Sequence, residues 1–211
     1  MGRPPKFSEE SLLDAALQAV AHSGTQTTVA QVVEIAQARP ASLYYRFPTR
    51  EVLLAALWVR SIQRFQTEFL RALHSFTDPH RALIAAAQSI PRYCRENPYE
   101  ARALTLFHHE DLVVKINHED PDFAQCPKDL RRTIETLNDD VFSVIAEVTE
   151  KRFGSAHAID YVAVIIQQFP YGLVRPYIGA DQPPMPEWLD GVVAAMADAG
   201  LAHIDSLLSE K

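Results

Sequence analysis

Residues Thr28 to Arg50, TVAQVVEIAQARPASLYYRFPTR, constrain the fold more than any other part of the chain: they read as two short helices around a tight turn, followed at once by a third helix. Thr28 stands three residues before Gln31, the spacing of a capping box, and Val29, Val32, Val33 and Ala36 then recur at helical intervals. The spacing predicts a helix ending near Ala36 or Gln37 and a compact turn from Gln37 to Arg39. A second helix begins at Pro40, whose missing N–H would have had no partner in a first turn. Leu43 and Phe47, four apart, form the inner stripe of that second helix. Its other face carries Arg39, Ser42, Tyr44, Tyr45 and Arg46, a set of cations, hydroxyls and rings suited to phosphates, base edges and thymine methyls. Pro48 stops the helix, and Thr49 can cap the next one, which opens Arg50, Glu51, Val52.

Two flanking blocks turn this pattern into a family resemblance. GRPPKFSEESLLDAALQAVAHSG is a basic arm followed by an amphipathic helix that ends at Gly24, and LYYRFPTREVLL joins the second helix of the pair to the next. Together with the turn between them they resemble the DNA-binding head of the TetR family of transcriptional regulators over roughly the first 60 of 211 residues. Three positions depart from the family's pattern. Val33 replaces a usual small Ala, Gln37 replaces a usual turn Gly and so predicts about 1 kcal/mol of strain or a slightly different turn, and Arg46 replaces a usual aromatic or His.

The rest of the chain reads as helices separated by proline-marked breaks. It contains only seven glycines, no glycine-rich phosphate loop and no runs of alternating β-branched residues, which argues against a nucleotide-binding α/β enzyme. The fold class expected is all-α, with an N-terminal three-helix helix-turn-helix DNA-binding head over residues 1–50 and a larger helical ligand-binding and dimerisation body over residues 51–211. The body's helices are expected from Thr49 to His74, Asp78 to Glu96, Pro98 to His109, Pro127 to Phe153, Ser155 to Tyr177 with a bend or break at Pro170, and Glu187 to Leu208. A loop is expected from Glu110 to Cys126. No apolar run approaches a membrane span and no secretory segment is evident, so a cytoplasmic protein is expected.

A net charge of −7 suits a DNA-binding protein only if it is unevenly distributed. Residues 1–50 carry five cations and four anions, while the remaining 161 residues carry 15 cations and 23 anions. An acidic body repels DNA everywhere except where the head presents its cations, which orients docking. In this reading Arg39, Ser42 and Tyr44 approach base edges, Thr28, Tyr45, Arg46 and Arg50 contact phosphates, and Arg3 and Lys6 form a basic arm.

Resemblance to the family implies a homodimer through the last two helices and a small-molecule pocket in the body. Apolar stripes at Ile159, Val162, Ile165, Ile166 and Phe169 and at Leu189, Val192, Val193, Met196, Ile204 and Leu207 fit either a bundle interface or a monomer core. Phe65, Phe69, Tyr93, Phe107, Phe142, Phe169 and Tyr171 are candidate lining, with His108 and Gln167 as polar contacts beside Tyr93 and Tyr171.

Chemistry is less evident. The segment from His108 to Asp122 gathers histidines and acids without a recognised ligand spacing, so it reads as a solvated loop, and no metal, cofactor or catalytic residue is nominated. Cys94 and Cys126 read as reduced thiols rather than as a sensor pair. The function expected is a ligand-responsive transcriptional regulator, a repressor that binds a palindromic double-stranded DNA operator and is released by a small-molecule effector. The alternative is a small-molecule binding or sensing protein whose head has weakened or lost DNA binding. A helical enzyme using the His and acid cluster is a third reading.

Overall fold

The computed structural model describes residues 8–179 and 181–209. Twelve α-helices and no strands occur among the described residues. They form two compact units: one joins the chain up to Gln63 with Pro98–Leu137, and the other joins Arg64–Asn97 with the chain from Asn138 onward. Residues 51–211, read from the sequence as one body, thus contribute to both units.

The first unit opens with α1, Glu9–Ser23, whose N-terminal N–H groups are met by the Ser8 hydroxyl accepting from Ser11 N at 3.1 Å. Glu9 and Glu10 in its first turn complement the helix dipole. The helix ends at Gly24, whose φ of 54° and ψ of −134° belong to glycine alone. A Cβ there would also stand 3.2 Å from Arg102 Nη2, and the same guanidinium donates through Nη1 to the Ala21 carbonyl. Helices α2 (Val29–Ala36), α3 (Pro40–Tyr44) and the first part of α4 (Arg50–Leu73) complete the head.

The core of this unit reaches well beyond the head. Leu12, Ala16 and Val20 of α1, Val32, Leu43, Phe47, Leu53 and Leu57 pack in one cluster with Leu112, Ile116, Phe123 and Ile134. Those last residues come from α7 (His109–Asn117), a 3-10 turn at Pro121–Phe123 and α8 (Lys128–Glu135), and α6 (Pro98–Ala103) adds Ala103 to the same cluster. Trp58 anchors the junction: its Nε1–H donates to the Leu104 carbonyl at 3.2 Å and its ring stacks on His109. Beside it the Ser61 hydroxyl donates to the buried Glu100 carboxylate.

Several expected boundaries move. The segment expected to be a loop from Glu110 contains α7, because Leu112 and Ile116, four apart, are fully buried on one face while His108 and the acids stay outside. The helix expected from Pro98 to His109 stops at Ala103 and turns through Leu106. The helix expected from Pro127 to Phe153 is two, α8 and α9 (Asp139–Phe153), parted at Thr136–Asn138. There the Thr136 hydroxyl bonds the Arg132 carbonyl and competes with the helical ladder.

The second unit is built around α5, Pro79–Glu96, capped by the Asp78 carboxylate accepting from Arg81 N at 2.7 Å. Packed on it are α9, the run α10 (Ile159–Ala163), a π-helical turn (Val164–Gln168) and α11 (Phe169–Val174), and finally α12 (Trp188–Ser209). The run from Ile159 to Val174 does not break at Pro170. It widens before it, and the Phe169 N–H reaches back to the Val164 carbonyl in the π register, which accommodates the proline's missing donor.

Helix α12 corrects the reading of membrane segments, since Trp188–Leu208 is long and apolar enough by length and composition to cross a bilayer. In the fold its three aspartates meet partners within the second unit. Arg95 grips Asp190 through two bonds of 2.9 and 2.8 Å, His80 Nε2 lies 2.7 Å from Asp198, and Arg152 holds Asp205. Leu189, Val193, Ala197, Leu201 and Ile204 are buried, whereas Met196 of the expected stripe is exposed. Gly200 lets the Ile165 side chain approach to 3.0 Å of where a Cβ would stand.

Candidate nucleic-acid interface

The helix-turn-helix forms as its sequence predicts, and its caps explain how. The Thr28 hydroxyl accepts from Gln31 N at 3.3 Å, and the Gln31 side-chain oxygen accepts from Thr28 N at 2.7 Å, so both halves of the capping box are made. At the other end Gln37 is left-handed, with φ 50° and ψ 34°. Its N–H bonds the Glu34 carbonyl and the Ala38 N–H bonds the Val33 carbonyl, the paired closure of a Schellman turn. Val33 and Ala38 both pack on the core, which supplies the apolar contact that accompanies this turn. The turn therefore keeps the geometry a glycine would give, at a backbone cost.

Helix α3 begins at Pro40 with Arg39 as its N-cap and continues in hydrogen bonds to Phe47 N, after which Pro48 stops it. Leu43 and Phe47 are buried and fix which face turns inward. Outward stand Arg39, Tyr44 at 48% exposure and Tyr45 at 87%, with Ser42 half-buried beside them. Among the described residues Arg39 has no hydrogen bond or ion pair. Rings this exposed, beside a free guanidinium on a capped two-helix turn, leave hydrogen-bonding and apolar groups for an outside partner.

Other predicted contacts are placed differently. Arg50 Nε donates to the Thr27 carbonyl at 2.5 Å, Nη2 donates to Thr25 O, and Nη1 pairs with Glu51 at 2.7 Å. Its guanidinium thus clamps the approach to α2. The adjoining Thr49 hydroxyl donates to the Asp122 carbonyl at 2.7 Å and accepts from Val52 N, tying the end of the reading head to the 120s turn. Arg46 leans back on the Ser42 carbonyl at 3.4 Å and lines a groove with Glu9 and Glu10. Thr28 is exposed but its hydroxyl is engaged in the capping box, while Arg3 and Lys6 lie outside the described residues.

Residues 12–57 match the family described as bacterial regulatory proteins, tetR family. The chain carries a TetR-family head. Solved structures extend the likeness to the whole fold. A transcriptional regulator from Rhodococcus sp. Rha1 aligns at a TM-score of 0.67 and 19% identity, covering 93% of this chain and 97% of its own. A TetR family regulator from Marinobacter aquaeolei VT8 aligns at 0.61 and 17%, covering 91% and 94%. The regulator FadR from Bacillus subtilis, solved in complex with stearoyl-CoA, aligns at 0.61 and 11%, covering 92% and 98%. No curated protein matches the sequence. At these identities the likeness over the whole chain is one of fold, an all-α chain with a helix-turn-helix head and a helical body.

The candidate ligand-lining residues are divided between the two units. Phe65, Phe69 and Tyr93 come together in the second unit, with ring centroids 5.8 Å apart for the phenylalanine pair and 5.4 Å for Phe65 and Tyr93. Tyr171 lies close enough to Cys94 for the two to interact, and burial foremost, then Cys94, raises its phenol above the ordinary range. Gln167 and Phe169 are half-buried in the same unit. Phe107 instead packs in the first unit against Trp58 and Phe123, His108 is exposed at the start of α7, and Phe142 is 53% exposed. Burial pushes the Cys94 thiol up to about 12 and raises Cys126, and the two cysteines belong to different units. Missed in the sequence were Trp58, Arg60 and Glu100, whose partners lie 39 to 50 residues away and leave no local signature.

Proposed function

We propose that this chain is a ligand-responsive DNA-binding regulator, acting as a homodimeric repressor that leaves a palindromic operator when a small effector binds. The observation that carries the reading is the exposed Arg39, Tyr44 and Tyr45 face on a helix-turn-helix whose first helix is capped at both ends. One such head offers few contacts, so two heads one DNA turn apart are needed for useful affinity. Support for pairing comes from the second unit, where Tyr161, Val164, Trp188 and Met196 of α10, the π turn and α12 are exposed apolar side chains. Support for an apolar effector comes from the Phe65, Phe69 and Tyr93 cluster, and from the acyl thioester carried by the FadR neighbour. A protein acting on chromosomal DNA in this way works in the cytoplasm.

Fluorescence anisotropy with the intergenic DNA beside the protein's own gene tests the reading. Binding that is sequence-selective, steeply salt-dependent and of two chains per site is the expected result. Stearoyl-CoA is the first effector to add, and release by it would fix the effector class. Loss of selectivity at every salt concentration would instead favour a sensor that no longer reads DNA.

A further inference from the structure

The outward face of α3, the reading helix, is apolar to a degree that phosphate binding does not explain. From Arg39 to Phe47 the sequence RPASLYYRF holds no Asn, Gln, Asp or Glu. Leu43 and Phe47 turn inward, while Pro40, Ala41, Tyr44 and Tyr45 all stand exposed. Helical spacing puts Ala41 beside both tyrosines, three and four residues on, so its methyl and their rings adjoin. Ser42 is half-buried, and Arg46 is turned back, its Nη1 donating to the Ser42 carbonyl at 3.4 Å. Of the amides before the helix, Gln31 is spent on Thr28 and Ser23, and Gln37 belongs to the turn.

Each base pair shows the major groove a different set of groups, and the thymine C5-methyl is the apolar one among them. Bidentate reading of adenine takes an Asn or Gln and reading of cytosine a carboxylate, and this helix carries neither. Laid over hydrogen-bonding base edges, an alanine methyl and a phenol ring would strip water without replacing its bonds, at a cost in free energy. Over a thymine methyl the same groups bury apolar surface on both sides. We infer that Ala41 and Tyr44 determine sequence specificity by contact with thymine methyl groups, so that the operator half-site presents thymines to the outward face of the reading helix. This rests on the DNA-binding reading above and adds which base that face selects.

The intergenic DNA beside the protein's own gene, amplified once with thymidine triphosphate and once with deoxyuridine triphosphate, gives two probes that differ in the C5-methyl alone. Anisotropy titration of the full chain should find the uracil probe bound roughly three- to fourfold more weakly for each methyl contacted, the effect of burying one methyl, and roughly tenfold or more weakly over two half-sites. The phosphates are unchanged, so both probes should give the same salt slope. Tyr44→Ala should lose most of the thymine preference, whereas Tyr44→Phe, which keeps the ring and loses the hydroxyl, should retain it. Both variants should keep a native circular dichroism spectrum, because the ring is exposed. Equal affinity for the two probes, with sequence-selective binding intact, would overturn this inference and leave the regulator reading standing. A thymine preference undiminished in Tyr44→Ala would overturn it too, by moving the methyl contact off this face. Failure to bind either probe selectively would defeat the regulator reading as well.

Discussion

Gln37→Gly isolates a single backbone conformation and should stabilise the head. Gln37 sits at φ 50° and ψ 34°, is solvent-exposed, and closes α2 through its own N–H and that of Ala38. A left-handed conformation costs an ordinary L-residue about 1–2 kcal/mol, whereas glycine adopts it freely. Glycine gives back about 0.5–1 kcal/mol through its greater freedom in the unfolded chain, so the net gain should be about 0.5–1 kcal/mol. For a chain of this size that corresponds to a rise of roughly 1–4 °C in melting temperature. Urea denaturation followed by circular dichroism measures it, with Gln37→Ala as a near-neutral control and Gln37→Val as a destabilised one, because β-branching crowds a positive φ. A glycine variant no more stable than the parent, together with a harmless valine, would show that the turn is not left-handed and refute the Schellman closure.

Arg50→Ala separates a clamp from a phosphate contact. Because its guanidinium holds the Thr25 and Thr27 carbonyls, the change should cost about 1–2 kcal/mol in stability and weaken operator binding without altering the salt slope. Arg39→Ala should leave stability intact and lower the slope by about one, and anisotropy titrations at several salt concentrations distinguish the two. Buried Cys94 should resist thiol reagents in the native protein and react once it is unfolded. Its folded pKa is raised to about 12 from 9.0, so the native state holds the proton more tightly. That contribution to stability is complete below pH 9 and is lost as pH climbs towards 12, and Cys94→Ser should flatten this alkaline limb of a denaturation profile.

The helix-turn-helix was legible because each of its determinants lies within a few residues of its partner. Thr28 and Gln31 make the predicted box, Leu43 and Phe47 make the predicted inner stripe, and Gln37 takes the left-handed backbone that the missing glycine implied. Helices α4 and α5 likewise follow from Thr49, Asp78 and Pro79 at their starts, whereas the bend or break expected at Pro170 is instead a π-helical turn just before it.

Where interactions join distant stretches, periodicity was silent. Glu110 to Cys126 looked like a polar loop until Leu112 and Ile116 met the core of the head. Arg50 looked like a DNA contact until its guanidinium reached back 23 and 25 residues to two carbonyls. The aspartates of α12 carry no local signal of their partners, yet Arg95, His80 and Arg152 meet them one by one. The sequence by itself determined an all-α chain with a helix-turn-helix at its start, because capping and 3.6-residue periodicity are local and strong. Only the tertiary structure decided which cations remain free to meet DNA and which are spent holding the protein together, because an arginine's role is set by whatever acceptors the fold brings within reach.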